Sequence, residues 1–181
     1  AYLCGIRYRL GFEIWGREVY FNLHGHDMSG NYTMRQHLLR LLSCLGAEIK
    51  DCLPQLYLLD KEIEWAKDFL FSLGIRPQDL KVAIHPGGFY PSQRWSRDGF
   101  AAVGREIIEE FGINVILLGD KSEEELLKEI KQKIDKDKVI ILCDLSLRQV
   151  ISALSECNLL ICNNSGMLHI ACALKVPTVS T

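Results

Sequence analysis

The sequence predicts an α/β domain, a Rossmann-like open sheet of mostly parallel strands with helices on both faces. Three observations carry this. From Lys81 onward, short apolar runs alternate with segments whose apolar residues recur at helical spacing. The runs are apolar at nearly every position, as in strands covered on both faces. Glycine stops and capping boxes punctuate the alternation, and strand–helix alternation yields right-handed crossovers and a parallel sheet.

Each element follows in order. Tyr2 to Gly30 is rich in Gly, Arg and aromatic residues and has weak periodicity. Asn31 to Leu45 reads as a helix with Met34, Leu38, Leu41, Leu42 and Leu45 on one side, ended by Gly46. A boundary near Asp51–Pro54 divides the end of an N-terminal domain (1–52) from a second domain (53–181). Gln55–Leu59 reads as a strand, and Glu62–Leu73 as a helix stopped by Gly74. Lys81–His85 is a strand ended by Pro86-Gly87-Gly88. The helix of Asp98–Phe111 stacks Phe100, Val103, Ile107, Ile108 and Phe111, and Gly112 ends it. Ile113–Leu118 is a strand ending at Gly119. Ser122 with Glu125 forms a capping box, opening a helix striped by Leu126, Leu127, Ile130 and Ile134. Lys138–Leu142 is a strand. Ser146 with Gln149 is a second capping box, whose helix buries Leu147, Val150, Ile151 and Leu154. Asn158–Cys162 is a strand, a helix begins near Ser165, and Pro177 opens a further strand.

Composition bounds the function. The 181 residues are 48% hydrophobic and 24% charged, which excludes wholesale disorder. With 23 acidic and 21 basic residues the net charge is -2, no footprint for polymeric nucleic acid. No apolar run approaches the roughly 20 residues of a membrane helix. The chain opens without a Met or signal peptide and stops where a strand is in mid-course, so a fragment is expected. Seven cysteines without a Cys-x-x-Cys pair read as thiols in a reducing cytosol; Cys143, Cys157, Cys162 and Cys172 lie in apolar runs.

Ligands of open α/β sheets bind beyond the carboxyl ends of the strands. Three loops leave such ends. His85 to Ser96 holds Gly87 and Gly88, which let backbone amides approach a ligand, and Arg94, which can grip phosphate oxygens. The plain alternative is a βα loop with a surface arginine and a packing tryptophan. Gly119-Asp120-Lys121-Ser122-Glu123 offers Glu123, either a ribose ligand or a helix-cap residue. Asn163 to His169 joins a strand to a helix, so the amides at Ser165, Gly166 and Met167 form an anion site, with His169 one turn on. His24-Gly25-His26-Asp27 resembles a metal cluster but lacks a partner at ligand spacing. Arg7, Arg9 and Arg17 make a basic patch that reads as a solvated face. There is no Gly-x-Gly-x-x-Gly turn and no Walker loop.

The ordered set His85-Pro86-Gly87, Gln93-Arg94-Trp95-Ser96, Gly119 to Glu123 and Asn164-Ser165-Gly166-Met167-Leu168-His169, with Leu145-Ser146-Leu147, resembles glycosyltransferase family 9, the lipopolysaccharide heptosyltransferases. The match is dense over 81–181 and fainter upstream, where Gly5–Phe12 resembles the end of the family's N-terminal domain. The resemblance implies the C-terminal half of a GT-B glycosyltransferase that binds a nucleotide-diphosphate sugar, ADP-heptose in the best-known members. It implies inverting, metal-independent transfer to a lipid-linked core saccharide at the membrane surface. It also implies a cytoplasmic protein, peripheral at the inner face of the bacterial inner membrane, without cofactor or nucleic acid. Ser92, Arg94 and the amides near Ser165 and Gly166 would hold the diphosphate, and Gly87, Gly88 and Asn164 also count among the donor-binding residues. Glu123 would take the ribose, Leu145 to Leu147 would border the base, and His169 would support the helix-start loop. The catalytic base, an early Asp of the N-terminal half, is expected outside this chain, so the chain alone is expected to bind donor without turnover. Two positions depart from the pattern: Gln93 stands where Lys is common, and Asn164 where Asp is usual. They leave room for a non-catalytic nucleotide- or carbohydrate-binding relative. Another Rossmann-like sugar-nucleotide enzyme is the third reading, and the missing Gly-rich turn weighs against it.

Overall fold

The structure is a computed structural model that describes residues 4–12, 16, 18–25, 31–48, 53–88 and 90–181. The chain forms two compact units, Ala1–Leu53 and Pro54–Thr181.

The first unit pairs two short parallel strands, β1 (Leu10–Phe12) and β2 (Leu23–Gly25), with Leu10 opposite Leu23. Neither is visible in the sequence pattern, because each has only three residues and includes a glycine. Those glycines make room: a Cβ on Gly11 would lie 2.4 Å from the Phe21 ring, and one on Gly25 2.2 Å from Leu41 Cδ1. Helix α1 (Met34–Ser43) is shorter than expected, because Thr33 caps it with Gln36 in a reciprocal capping box. Its stripe is also not a core face, since Met34, Leu38 and Leu42 are exposed, as is Leu45 beyond it. The buried residue of α1 is His37, packed edge-on against Phe12 and Tyr32. Arg9 of the expected basic patch is structural, since its Nε donates to Tyr20 O at 2.8 Å. Arg17, His26, Asp27 and Cys52 lie outside the described residues.

The second unit has the predicted architecture. Helix α2 (Asp60–Ser72) precedes β3 (Lys81–His85), α3 (Arg97–Phe111) and β4 (Asn114–Leu118). Then come α4 (Glu124–Ile134), β5 (Val139–Leu142), α5 (Leu147–Ser155), β6 (Leu159–Cys162), α6 (Gly166–Leu174) and β7 (Thr178–Ser180). The five strands form one parallel sheet in the order β5-β4-β3-β6-β7. Successive strand side chains point to opposite faces. Val82, Ile84, Val115 and Leu117 therefore pack with Phe100, Leu127, Ile130 and Ile134 of α3 and α4. Ala83, Ile116, Leu118 and Leu160 pack with Leu70, Leu154 and Ala171 of α2, α5 and α6. Such burial is worth about 1.5–3 kcal/mol for each large side chain, and it explains why the strands read as unbroken apolar runs.

Four local expectations are corrected. Gln55–Leu59 is extended chain without a strand partner; Leu56 N–H donates to Ala173 O at 3.2 Å instead. Ser122 does not cap α4. The Asp120 carboxylate accepts from the amides of Ser122 (2.7 Å) and Glu123 (3.2 Å), and Glu123 Oε2 accepts from Asp120 N–H (3.1 Å). This box opens a 3-10 turn (Lys121–Glu123) that runs into α4. Phe111 and Leu147 are exposed: Phe111 is the last residue of α3 and Leu147 the first of α5. Of the cysteines in apolar runs, Cys157 and Cys162 are buried, Cys143 is half-buried and Cys172 is exposed. Burial pushes the Cys157 thiol up to about 12 and the Cys162 thiol up to about 11.

Helices α2 and α5 are tied by Glu62. Its carboxylate accepts from Leu59 N–H at 2.8 Å and from Arg148 Nε at 2.7 Å, with a second, short bond from Arg148 Nη2. Among the described residues no helix is long and apolar enough to cross a membrane.

Candidate functional site

The chain direction across the sheet positions the site. From β3 the order runs outward through β4 to β5, then returns to the other side of β3 for β6 and β7. At such a reversal, the loops leaving neighbouring strands diverge to opposite faces and open a crevice at the carboxyl ends. Here the diverging loops follow β3 and β6, with Ile84 opposite Ile161 and His85 opposite Cys162.

A cavity of about 890 Å³ occupies that crevice. Another, of about 620 Å³, lies at the amino ends of β3 and β4 beside Leu80, Phe111 and Asn114. Ligands of this sheet type bind at the carboxyl ends, so the larger cavity is the candidate site. Its wall joins all three expected loops: Gly88 and Arg94 after β3, Gly119 and Glu123 after β4, Ser165 and Gly166 after β6. Leu145, Leu147 and Val150 add an apolar side, continued by Leu126, Met167 and Ile170.

Each loop has a local cause. Ser165 is the N-cap residue of α6, but its side chain makes no capping bond. Ser96 and Ser146, by contrast, cap α3 and α5 through Gly99 N–H and Gln149 N–H. The start of α6 therefore presents its amide end to the cavity without a side chain across it, a geometry suited to an anion. The Ser165 hydroxyl instead lies 3.5 Å from His85 Nδ1. The other ring nitrogen, Nε2, is 3.8 Å from Glu123 Oε2. Burial holds the His85 imidazole below its usual range, against the pull of the Glu123 and Asp120 carboxylates, which favour the charged ring. Hydrogen bonding, first from the Ser122 hydroxyl, holds the Asp120 carboxyl below its usual range. The Glu123 carboxylate lies against the Cα of Gly87, where a Cβ would be 1.8 Å from Oε1. Gly87 is thus a glycine because of Glu123. Arg94 Nε donates to Gly88 O at 2.8 Å, which folds its guanidinium back over the loop.

The structure brings Gly88, Arg94, Glu123, Leu145, Ser165 and Gly166 to one wall. Gly87 stands behind Glu123. Ser92 is exposed in the 3-10 turn Pro91–Gln93, and Asn164 is exposed. His169 is exposed on α6 and is not part of the lining, because it lies about 200° around the helix from Met167, which faces the cavity. Among the described residues no group of three or more His, Cys, Asp and Glu is placed to hold a metal ion.

Sequence reasoning missed two site residues. His85 has a signal, a polar side chain closing an apolar strand before Pro-Gly-Gly. Asn163 is 1% exposed and bonded to both ends of the β3–α3 loop. Its only signal is that it follows an apolar strand, as does its exposed neighbour Asn164.

Comparison with known proteins follows the same lines. Residues 3–181 match glycosyltransferase family 9 (heptosyltransferase). Lipopolysaccharide heptosyltransferase 2 of Escherichia coli K12 is 26% identical over 132 residues, covering 70% of this chain and 37% of that protein. Lipooligosaccharide heptosyltransferase 2 of Campylobacter jejuni serotype O:2 is 29% identical over 125 residues, 67% of this chain and 39% of that protein. The chain therefore spans well under half the length of these relatives. Among solved structures, a family 9 glycosyl transferase from Veillonella parvula DSM 2008 superposes with a TM-score of 0.76 at 22% identity, covering 87% of this chain and 45% of that one. E. coli ADP-heptose lps heptosyltransferase II gives 0.71 at 20% identity, covering 98% and 56%. E. coli heptosyltransferase WaaC with ADP-2-deoxy-2-fluoro heptose gives 0.62 at 17% identity, covering 90% and 48%. The fold of the second unit is the predicted α/β architecture, shared with about half of these heptosyltransferase structures, and the family match spans almost the whole sequence: the chain belongs to glycosyltransferase family 9, the heptosyltransferases.

Proposed function

We propose that the cavity is the donor site of a glycosyltransferase that moves a heptose from ADP-heptose to a lipopolysaccharide core acceptor, with inversion and without a catalytic metal. The observation that carries this is the convergence on one wall of the open α6 N-terminus, Arg94 and Glu123. Its parts suit the donor. The helix end and the arginine complement a diphosphate, and they do so most strongly as charge builds on the leaving oxygen. The Glu123 carboxylate can accept from ribose hydroxyls. The apolar side of Leu145, Leu147 and Val150 can cover a base. Gly87, Ser92 and Asn164 take supporting places around this core, whereas His169, on the other side of α6 from Met167, is not among its lining. The reading adds a lipid-linked saccharide partner at the inner face of the bacterial inner membrane, a cytoplasmic location and no cofactor. The acceptor's proton goes to a carboxylate base outside these residues.

The test is calorimetry on the full-length protein with ADP, UDP and GDP, followed by transfer from ADP-heptose with and without EDTA. Selective ADP binding and EDTA-insensitive transfer are expected. Binding of none of the nucleotides would sink the reading. One observation favours a non-catalytic relative: the cavity lining carries the carboxylates of Asp120, Glu123 and Glu125, while Arg94 is bonded to Gly88 and Arg97 to Glu129. ADP binding without turnover of ADP-heptose by the full-length protein would establish that alternative.

A further inference from the structure

We propose that Asn163 is a positioning residue of the donor site: its side chain clamps the β3–α3 loop so that Gly88 and Arg94 meet the start of α6, and so favours a diphosphate over a bare nucleoside. This rests on the donor-site reading above. Asn163 follows β6 and is 1% exposed. Its Nδ2 donates to Pro86 O at 2.8 Å and to Gly87 O at 2.9 Å. Its Oδ1 accepts from Trp95 N–H at 2.8 Å and from the Thr181 hydroxyl at 3.0 Å. Both donors and both lone pairs of the amide are in use. One side chain thereby joins the first residues of the loop to its last and fixes the whole to the strand that leads into α6.

The clamp also sets polarity. The carbonyls of Pro86 and Gly87 turn to Asn163, and that of Gly88 turns to Arg94. Three consecutive carbonyl dipoles are thus anchored on protein donors, so their oxygens do not meet an incoming anion. The peptide groups are trans and planar, so the N–H groups of Gly87 and Gly88 point away from Asn163. Asn163 stands behind the loop, while Gly88 is on the cavity wall. A loop with this orientation serves a phosphate and matters little to a base or ribose held on the far side.

The test compares ADP with adenosine by calorimetry on the full-length protein and its Asn163→Asp variant. Aspartate keeps the shape but puts an oxygen against the Pro86 and Gly87 carbonyls. ADP affinity is expected to fall about tenfold or more, with adenosine affinity unchanged. A merely structural role would lower both together. ADP binding that the substitution leaves unchanged, or an equal loss for adenosine, overturns the role of Asn163. Absence of ADP binding by the unsubstituted protein overturns the donor reading itself. If the variant fails to fold, hydrogen exchange on the unsubstituted protein decides. The Trp95 amide, outside any helix or strand, is expected to exchange slowly, and fast exchange overturns the clamp.

Discussion

Replacing Gly87 by alanine perturbs the site with a single methyl group. Gly87 does not have a positive φ, so an alanine meets no backbone strain there. Its Cβ would lie 1.8 Å from Glu123 Oε1 and 2.5 Å from Cδ. The carboxylate must retreat by about 1.5 Å to regain ordinary contact. Retreat breaks the bond from Asp120 N–H to Glu123 Oε2, a loss of about 1 kcal/mol. The turn itself survives, because Asp120 still accepts from the Ser122 and Glu123 amides. With Glu123 displaced from the ribose it is proposed to hold, a charged hydrogen bond of about 1.5–3 kcal/mol goes, or roughly 10- to 150-fold in ADP affinity. Calorimetry and thermal unfolding of full-length Gly87→Ala, Glu123→Ala and the double variant measure this. Both substitutions act on one carboxylate, so the double variant should bind ADP no more weakly than Glu123→Ala. Wild-type affinity in Gly87→Ala, or losses that add in the double variant, would refute the reasoning.

Three further outcomes follow from the packing and the charges. Arg148, through its side-chain hydrogen bonds, pulls the Glu62 carboxyl down from 4.5 to about 2. The stability this adds is present above the unfolded value and lost as pH falls from 4.5 towards 2, so Glu62→Gln should flatten that decline in urea midpoints measured across it. Burial lowers the His85 pKa below 6.5, so the unfolded chain binds the proton more readily and stability falls with pH below that value; His85→Gln should lessen the fall in the same titration. On α3, Phe100→Ala should cost about 3–5 kcal/mol in chemical unfolding, because its ring is 0% exposed, whereas Phe111→Ala, at 68% exposed, should stay within about 0.5 kcal/mol.

Much of the second unit was legible because its strands are buried on both faces. Val115, Ile116, Leu117 and Leu118 alternate between two helix layers, and a run of four such residues has few other uses. The first unit was illegible for the opposite reason: strands of three residues containing glycine carry no period. Gln55–Leu59 has strand composition but pairs with no strand, and its Leu56 N–H goes to a helix carbonyl, Ala173 O, instead. At the Asp120 turn the sequence pattern points to Ser122 with Glu125, whereas the structure forms the box two residues earlier, at Asp120 with Glu123. In the site, the loop glycines, Arg94 and Glu123 stood out by residue type. His85 and Asn163 did not, because their partners Ser165 and Pro86 lie 80 and 77 residues away in sequence. Only the reversal of strand order brings them together.

That reversal has a kinetic consequence. β3 can pair with β4 as soon as the intervening α3 has formed, but β6 reaches β3 only after the chain has travelled out to β5 and back. Each step of that journey adds loop entropy before the last pairing rewards it. Loop-closure entropy therefore favours pairing of β3 with β4 before pairing of β3 with β6, and the crevice is expected to form with the later pair. A small molecule held there would do little to hasten the chain's collapse. It would act as a rivet, prolonging the life of the finished sheet by closing a seam expected to form late.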